Sequence, residues 1–167
     1  MEIIRPEHII IKPKKELLFL KGRMKLILQN IKTGEIEISE WYNNLITTAG
    51  KVAILRRLKN AGTKANEGMI TYLAVGTGTT APAIGDTTLE AEVERVAISG
   101  ATSISGTTLE LRGFFNSSEA NATLREAAWT GEDATGDADT GTMFNRVAIN
   151  RTKTTLLTLT IVQEFAW

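Results

Sequence analysis

The chain has 167 residues, 43% hydrophobic and 23% charged, the balance of an ordinary globular protein, so one domain with a proper core is expected. It has no cysteine, which excludes disulfides and thiolate chemistry, and no apolar run near the ~18 residues of a membrane span. The 19 basic and 19 acidic residues cancel, yet residues 1–64 hold 13 Lys or Arg against 6 acids and residues 65–167 hold the reverse.

Residues 1–22 read as an extended, basic N-terminal arm, and 23–167 as a single β-rich domain. In the arm, apolar runs at 9–11 and 17–20 flank Lys12-Pro13-Lys14-Lys15, and Pro6 and Pro13 disfavour a helix. This is not the pattern of a secretory leader. Such an arm either adds a strand to a neighbouring copy or forms an edge strand of its own sheet. A hairpin is expected over 23–41. Met24, Leu26 and Leu28 alternate with Lys25, Ile27 and Gln29, Ile36 and Ile38 alternate with Glu35 and Glu37, and Lys32-Thr33-Gly34 supplies the turn.

Residues 47–62 carry the principal helix, its body near 48–61. Thr47 or Thr48 caps it, Val52, Leu55 and Leu58 recur at helical spacing beside Ile54, and Arg56, Arg57 and Lys59 suit its carboxyl end before Gly62. The apolar stripe is assigned to the core, with Leu55 and Leu58 packing on Leu159 and Ile161 of the last strand. Next, residues 70–75 form a short apolar strand leading into Gly76-Thr77-Gly78-Thr79-Thr80. A strand before G-x-G raises a nucleotide site, but there is no Gly-Lys-Ser/Thr and no third glycine with an immediate helix. Pro82 and Gly85-Asp86 point instead to a wandering loop, followed by a short helix at 88–95. Glu90, Glu92 and Glu94 beside Arg95 read as surface charge, and residues 103–106 as the tip of another hairpin.

The last third is the clearest segment. Leu157, Leu159, Ile161 and Phe165 share one face with Gln163 as the single polar break, while Thr154, Thr158 and Thr160 share the other with Leu156 and Val162. That is a long half-buried strand. The runs 108–115, 122–129 and 142–150 are of the same character, enough with it for one sheet. The fold class is therefore mainly β, an antiparallel β-sandwich-like domain with one principal α-helix. Between these runs lies the acidic, glycine-rich stretch 131–141. Asp133, Asp137 and Asp139 offer the hard oxygen ligands that calcium takes, but the bidentate Glu of an EF-hand is missing. The stretch is read as a solvated loop, and no metal or cofactor is assigned.

Catalysis has little to work with. His8 is the only histidine, and no serine or histidine arrangement marks a triad, so an enzyme is not expected. The charge asymmetry is compatible with nucleic-acid binding by the basic half, with head-to-tail contact between copies, or with solvated faces. That half is not strongly aromatic or Arg-rich, and neither nucleic acid nor membrane is expected as a partner.

Several blocks carry a resemblance. Asn44-Leu45-Ile46-Thr47-Thr48-Ala49-Gly50, then Tyr72 to Pro82, Gly85-Asp86-Thr87 and Leu89 come first. Phe114-Phe115, Ser118-Glu119-Ala120-Asn121, Leu124-Arg125-Glu126-Ala127, Phe144-Asn145-Arg146 and Lys153-Thr154 through Phe165 follow. In this order, over roughly residues 40–165, the pattern resembles small structural proteins of the tail or tail fibre of tailed bacteriophages. One departure is Ala128-Trp129, where the pattern has Gly before a large apolar residue, so the glycine of a tight turn is absent. The resemblance implies a class and no chemistry: a non-enzymatic virion component assembled in the host cytoplasm, in a tail or tail-fibre attachment role. Other virion proteins are its implied partners. A homo-oligomer, with a trimer favoured, fits both the resemblance and the charge split. A capsid decoration protein is the alternative. A host-surface or carbohydrate-binding module is a second alternative, but it needs a shallow face of exposed aromatics, and Trp41, Trp129 and Trp167 are scattered.

Overall fold

Period-two alternation governs most of the chain, and it becomes strands. The computed structural model describes residues 20–59, 62, 64–99 and 102–166. Most of the arm, with His8, and Trp167 lie outside the described residues. In chain order the elements are β1 (Lys21–Asn30), β2 (Ile36–Ile38), β3 (Tyr42–Asn43), β4 (Leu45–Ile46), α1 (Thr48–Lys59), β5 (Ile70–Gly76), β6 (Glu92–Ala97), β7 (Ser103–Ser105), β8 (Thr108–Phe115), β9 (Thr123–Gly131), β10 (Thr142–Thr152) and β11 (Leu157–Ala166).

Two antiparallel sheets face each other, as expected of a sandwich-like domain. Sheet A runs β2-β1-β11-β8-β7, with β3 also paired to β1, and sheet B runs β4-β10-β9-β5-β6. The strand runs assigned to one sheet are thus divided: β8 joins β11 in sheet A, whereas β9 and β10 lie in sheet B. Alternation says which face of a strand is buried and not which neighbour it pairs with, and apolar faces on two sheets can cover each other.

Met24, Leu26, Leu28, Leu111, Phe115, Leu159, Ile161 and Phe165 come from the inner face of sheet A. They meet Leu73, Val75, Leu124, Ala127, Trp129 and Val147 of sheet B. Each buried large side chain contributes about 1.5–3 kcal/mol of transfer free energy. Gly113 lies opposite Ile161 in the β8–β11 ladder, and a Cβ there would collide with Leu73 of the other sheet. Its missing side chain makes room for the two sheets to close.

The hairpin over 23–41 forms. β1 pairs with β2 through Ile27–Ile38 and Gln29–Ile36, and Gly34 takes a φ of 74° at the turn. The second hairpin is displaced from its expected tip: 103–105 is strand, and the turn is at Gly106-Thr107. The helix expected at 88–95 is absent. That segment ends in β6, whose backbone pairs with β5 from Glu92 to Ala97. Ala128-Trp129 continues straight through the middle of β9, without a turn.

Helix α1 is where the structure most corrects the sequence. Its cap is as read: the Gly50 backbone N–H donates to Thr47 Oγ1 at 2.9 Å. Its buried face is not. Val52, Leu55 and Leu58 are 41%, 63% and 79% exposed, and Ala53 is fully buried. Leu55 and Leu58 therefore do not pack on Leu159 and Ile161, which are enclosed between the sheets. The helix lies on β10 so closely that a Cβ on Gly50 would strike the backbone of Phe144. Only a face of small residues allows that approach, so the leucine stripe turns outward.

Candidate functional site

The polar residues that alternation leaves unexplained gather in buried networks. The largest sits on the outer face of sheet B, where Arg146 of β10 and Glu126 of β9 form an ion pair of 2.8 Å. Arg146 Nη1 also donates to Asp86 Oδ2 at 2.6 Å, and its Nη2 donates to the Thr80 carbonyl at 3.3 Å. Glu126 Oε1 accepts from the backbone N–H of Gly78 (3.0 Å) and Ala91 (2.8 Å), and Oε2 accepts from that of Glu90 (3.1 Å). One strand carboxylate thereby holds both ends of loop 77–91 against the sheet, and Leu89 of that loop packs on Ala74, Ala128 and Met143. Burial pushes the Asp86 carboxyl up, but the Ala83 N–H and the Arg146 guanidinium together hold it below its ordinary value.

This network decides the nucleotide question. The backbone N–H of Gly78, which a phosphate-cradling loop would aim at its ligand, is taken by a carboxylate. A Cβ on either Gly76 or Gly78 would meet Glu126. The glycines of this G-x-G serve the close approach of the loop to Glu126.

A second network lies in the core. Gln163, the polar break in β11, is fully buried, and its Oε1 accepts from Asn44 Nδ2 at 2.6 Å and Asn145 Nδ2 at 2.9 Å. Asn145 Oδ1 in turn accepts from the Trp129 backbone N–H at 3.0 Å. These bonds join sheet A to sheet B through side chains and give the buried amides of Gln163 and Asn145 their partners, while Asn44 Oδ1 is left without one among the described residues.

Three further contacts tie loops down. Glu132, fully buried, pairs with Arg56 of α1 at 2.6 Å and accepts from Thr142 Oγ1 and the Gly68 N–H. Burial raises its carboxyl, but Arg56 and the two hydrogen bonds outweigh that and hold it below the ordinary value. Lys153 Nζ, also buried, donates to the Glu119 carbonyl at 2.6 Å and Asn121 Oδ1 at 3.1 Å, and burial pushes its ammonium down. Glu92 and Arg95 form a pair of 2.6 Å with side chains only 3% exposed, so they are not the surface charge the sequence indicates. Arg95 Nη1 continues to the carbonyls of Thr135 and Thr140, fastening the acidic stretch to β6.

The three aspartates of that stretch are engaged separately. Asp133 accepts from Lys64 Nζ (3.1 Å) and the Ala65 N–H (2.9 Å), Asp137 Oδ2 accepts from Thr135 Oγ1 (3.2 Å), and the Asp139 N–H donates to Glu92 Oε2 (3.2 Å). Among the described residues no three His, Cys, Asp or Glu side chains converge as a metal ion would require. Among them, too, no helix is long and apolar enough to cross a membrane.

Besides the outward stripe of α1, two apolar surfaces stand out among the described residues. The outer face of sheet A carries a cross-strand row of Ile38, Ile27, Thr160 and Phe114, and beside it a row of Ile36, Gln29 and Thr158. Ile36, Ile38 and Phe114 are 56%, 60% and 43% exposed, and exposed Ile31 and Leu156 adjoin at the strand ends. Toward the other end the same face turns charged: Arg23 bonds Glu164, and Arg112 bonds Glu110. There the Trp41 ring is covered by Arg23 at 4.2 Å and Lys25 at 4.8 Å. Trp129 is buried, so Trp41 and Trp129 do not form a shared face of exposed aromatics. The second surface is a groove of about 940 Å³ at one end of the sandwich, lined among others by Leu20, Ile70, Ile98, Ile104 and Leu109.

Comparison with protein-family models, with curated proteins and with solved structures found no match. The networks were missed at the sequence level because their members are far apart in the chain. The signal that could have found them was present: Asn44, Thr80, Asp86, Glu126, Asn145, Arg146, Lys153 and Gln163 all fall within the blocks quoted for the resemblance.

Proposed function

We propose that this protein is a non-enzymatic structural component of a tailed-phage virion, in a tail or tail-fibre attachment role, built into the particle as a homo-oligomer with a trimer as its form. The observation that carries this reading is the outer face of sheet A. Loop 77–91 covers the corresponding face of sheet B, whereas Ile36, Ile38 and Phe114 stand in adjoining rows in the open. Contiguous apolar surface with a charged margin is the anatomy of a protein–protein interface. The resemblance supports the same reading, since the polar residues of its blocks are spent on holding loops and sheets together.

Light scattering of the full chain at micromolar concentration tests this. A trimer mass is expected, falling to a monomer in the Ile38→Lys/Phe114→Lys variant with its fold intact by circular dichroism. Cryo-EM of the particle then locates the protein, and density on the capsid shell would replace the tail role with a decoration role. A strict monomer that binds neither isolated tails nor capsids would end the proposal.

A further inference from the structure

The groove at the end of the sandwich continues into a polar cleft. Ile54, Ile70, Ile98, Ile104 and Leu109 are among the residues that line the groove, and among the described residues none of its walls carries a charged side chain. Leu20 and Ile46 line it too, and they also border a smaller cleft of about 480 Å³ formed by the start of β1, strand β4 and the first turn of α1. Lys21 and Lys51 line that cleft beside Asn43 and Asn44, and among the described residues no acid does. Helix α1 walls both cavities, with Lys51 on the cleft and Ile54 on the groove. Residues three apart on a helix are neighbours, about 5–6 Å between Cβ atoms, so the cationic cleft opens directly beside the apolar groove.

Water against apolar walls is unfavourable in proportion to the area it wets, so the groove favours an occupant with an apolar chain. Its volume of about 940 Å³ falls within the ~300–1,000 Å³ of small-molecule sites, which are mostly apolar with a few polar groups that fix orientation. Neither Lys21 nor Lys51 is paired with a carboxylate among the described residues. Two unneutralised ammonium groups beside an uncharged groove attract a negative group to the cleft. A neutral apolar molecule would leave the lysines unused, and a small inorganic anion would leave the groove wetted. One molecule that joins an apolar chain to an anionic head suits both cavities.

We propose that the joined cavities bind a long-chain fatty carboxylate, its hydrocarbon chain in the groove and its carboxylate held by Lys21 and Lys51. Ligand binding and the assembly role are independent, and either can fail alone. The test is displacement of the fluorescent polyene fatty acid cis-parinarate from the full-length protein. Hexadecanoate should compete at micromolar concentration, and its uncharged methyl ester several-fold less well. Lys21→Ala/Lys51→Ala, at two exposed positions, should weaken hexadecanoate several-fold and leave the ester unchanged, with the fold intact by circular dichroism. Ile104→Glu, at a groove residue that is 80% exposed, should weaken both. Failure to bind parinarate, equal affinity for acid and ester, or a double-lysine variant that holds hexadecanoate like the parent would each overturn the proposal. An Ile104→Glu variant with unchanged affinities would do the same, by placing the chain outside the groove. So would protein that sediments with phosphatidylglycerol vesicles yet ignores free hexadecanoate, since a bilayer surface would then be the partner.

Discussion

Glu126 and Arg146 form an ion pair of 2.8 Å whose side chains are only 1% and 4% exposed, and around it loop 77–91 is folded onto sheet B. Removing one partner of a buried pair leaves a charge uncompensated, at a cost of about 3–5 kcal/mol. Glu126→Ala should approach that value, because three backbone N–H groups lose their acceptor as well. In urea melts, Glu126→Gln and Arg146→Met should couple by about 0.5–3 kcal/mol in the double mutant. Strict additivity would show that the two residues act separately.

The outward leucines of α1 make a contrasting prediction. Leu55→Ala and Leu58→Ala should each stay within about 0.5 kcal/mol of the parent, as surface substitutions do. Leu159→Ala should lose about 2–5 kcal/mol, since Leu159 is fully enclosed. Ala53→Leu should cost about 1–3 kcal/mol by overfilling the contact with β10. A large loss from Leu55→Ala in a denaturant melt would restore the leucine stripe to the core.

Acid should act through Glu132. Its carboxyl ionises below the ordinary Glu value of 4.5 in the folded protein, so between the two values the unfolded chain binds more protons. The stabilisation by its contacts is present in full above that ordinary value and is lost as pH falls through the folded one. Asp86 acts in the same direction from its ordinary 3.8. Urea melts of the parent and Glu132→Gln from pH 7 to pH 3 should show a stability difference that shrinks with acidification. A difference independent of pH would rule Glu132 out as the titrating group.

Calcium should do little. Asp133 is engaged by Lys64, Asp137 accepts from Thr135, and among the described residues the aspartates form no convergent set of ligands. Ligands that bind only the folded state raise the melting temperature by mass action, so millimolar calcium should leave it unchanged. A clear rise that disappears in Asp137→Ala/Asp139→Ala would identify the stretch as a cation site.

Much of the fold is local and was legible. The alternation in β1, β8 and β11, the Gly34 turn and the Thr47 cap each depend on residues close in sequence, so they could be read directly. What needed the tertiary structure is what depends on residues brought together from far apart. Period-two alternation assigns β8 and β9 an inner face equally well, yet only long-range pairing puts them in different sheets. The helix could have buried leucines 55 and 58, but the backbone of Phe144 comes so near Gly50 that only the Ala53 side fits. A charged side chain is written the same way whether solvated or buried. Burial of Glu126 and Arg146 became favourable because partners 20 to 66 residues away arrive at hydrogen-bonding distance from the same loop and strand, and no spacing in the chain encodes that meeting.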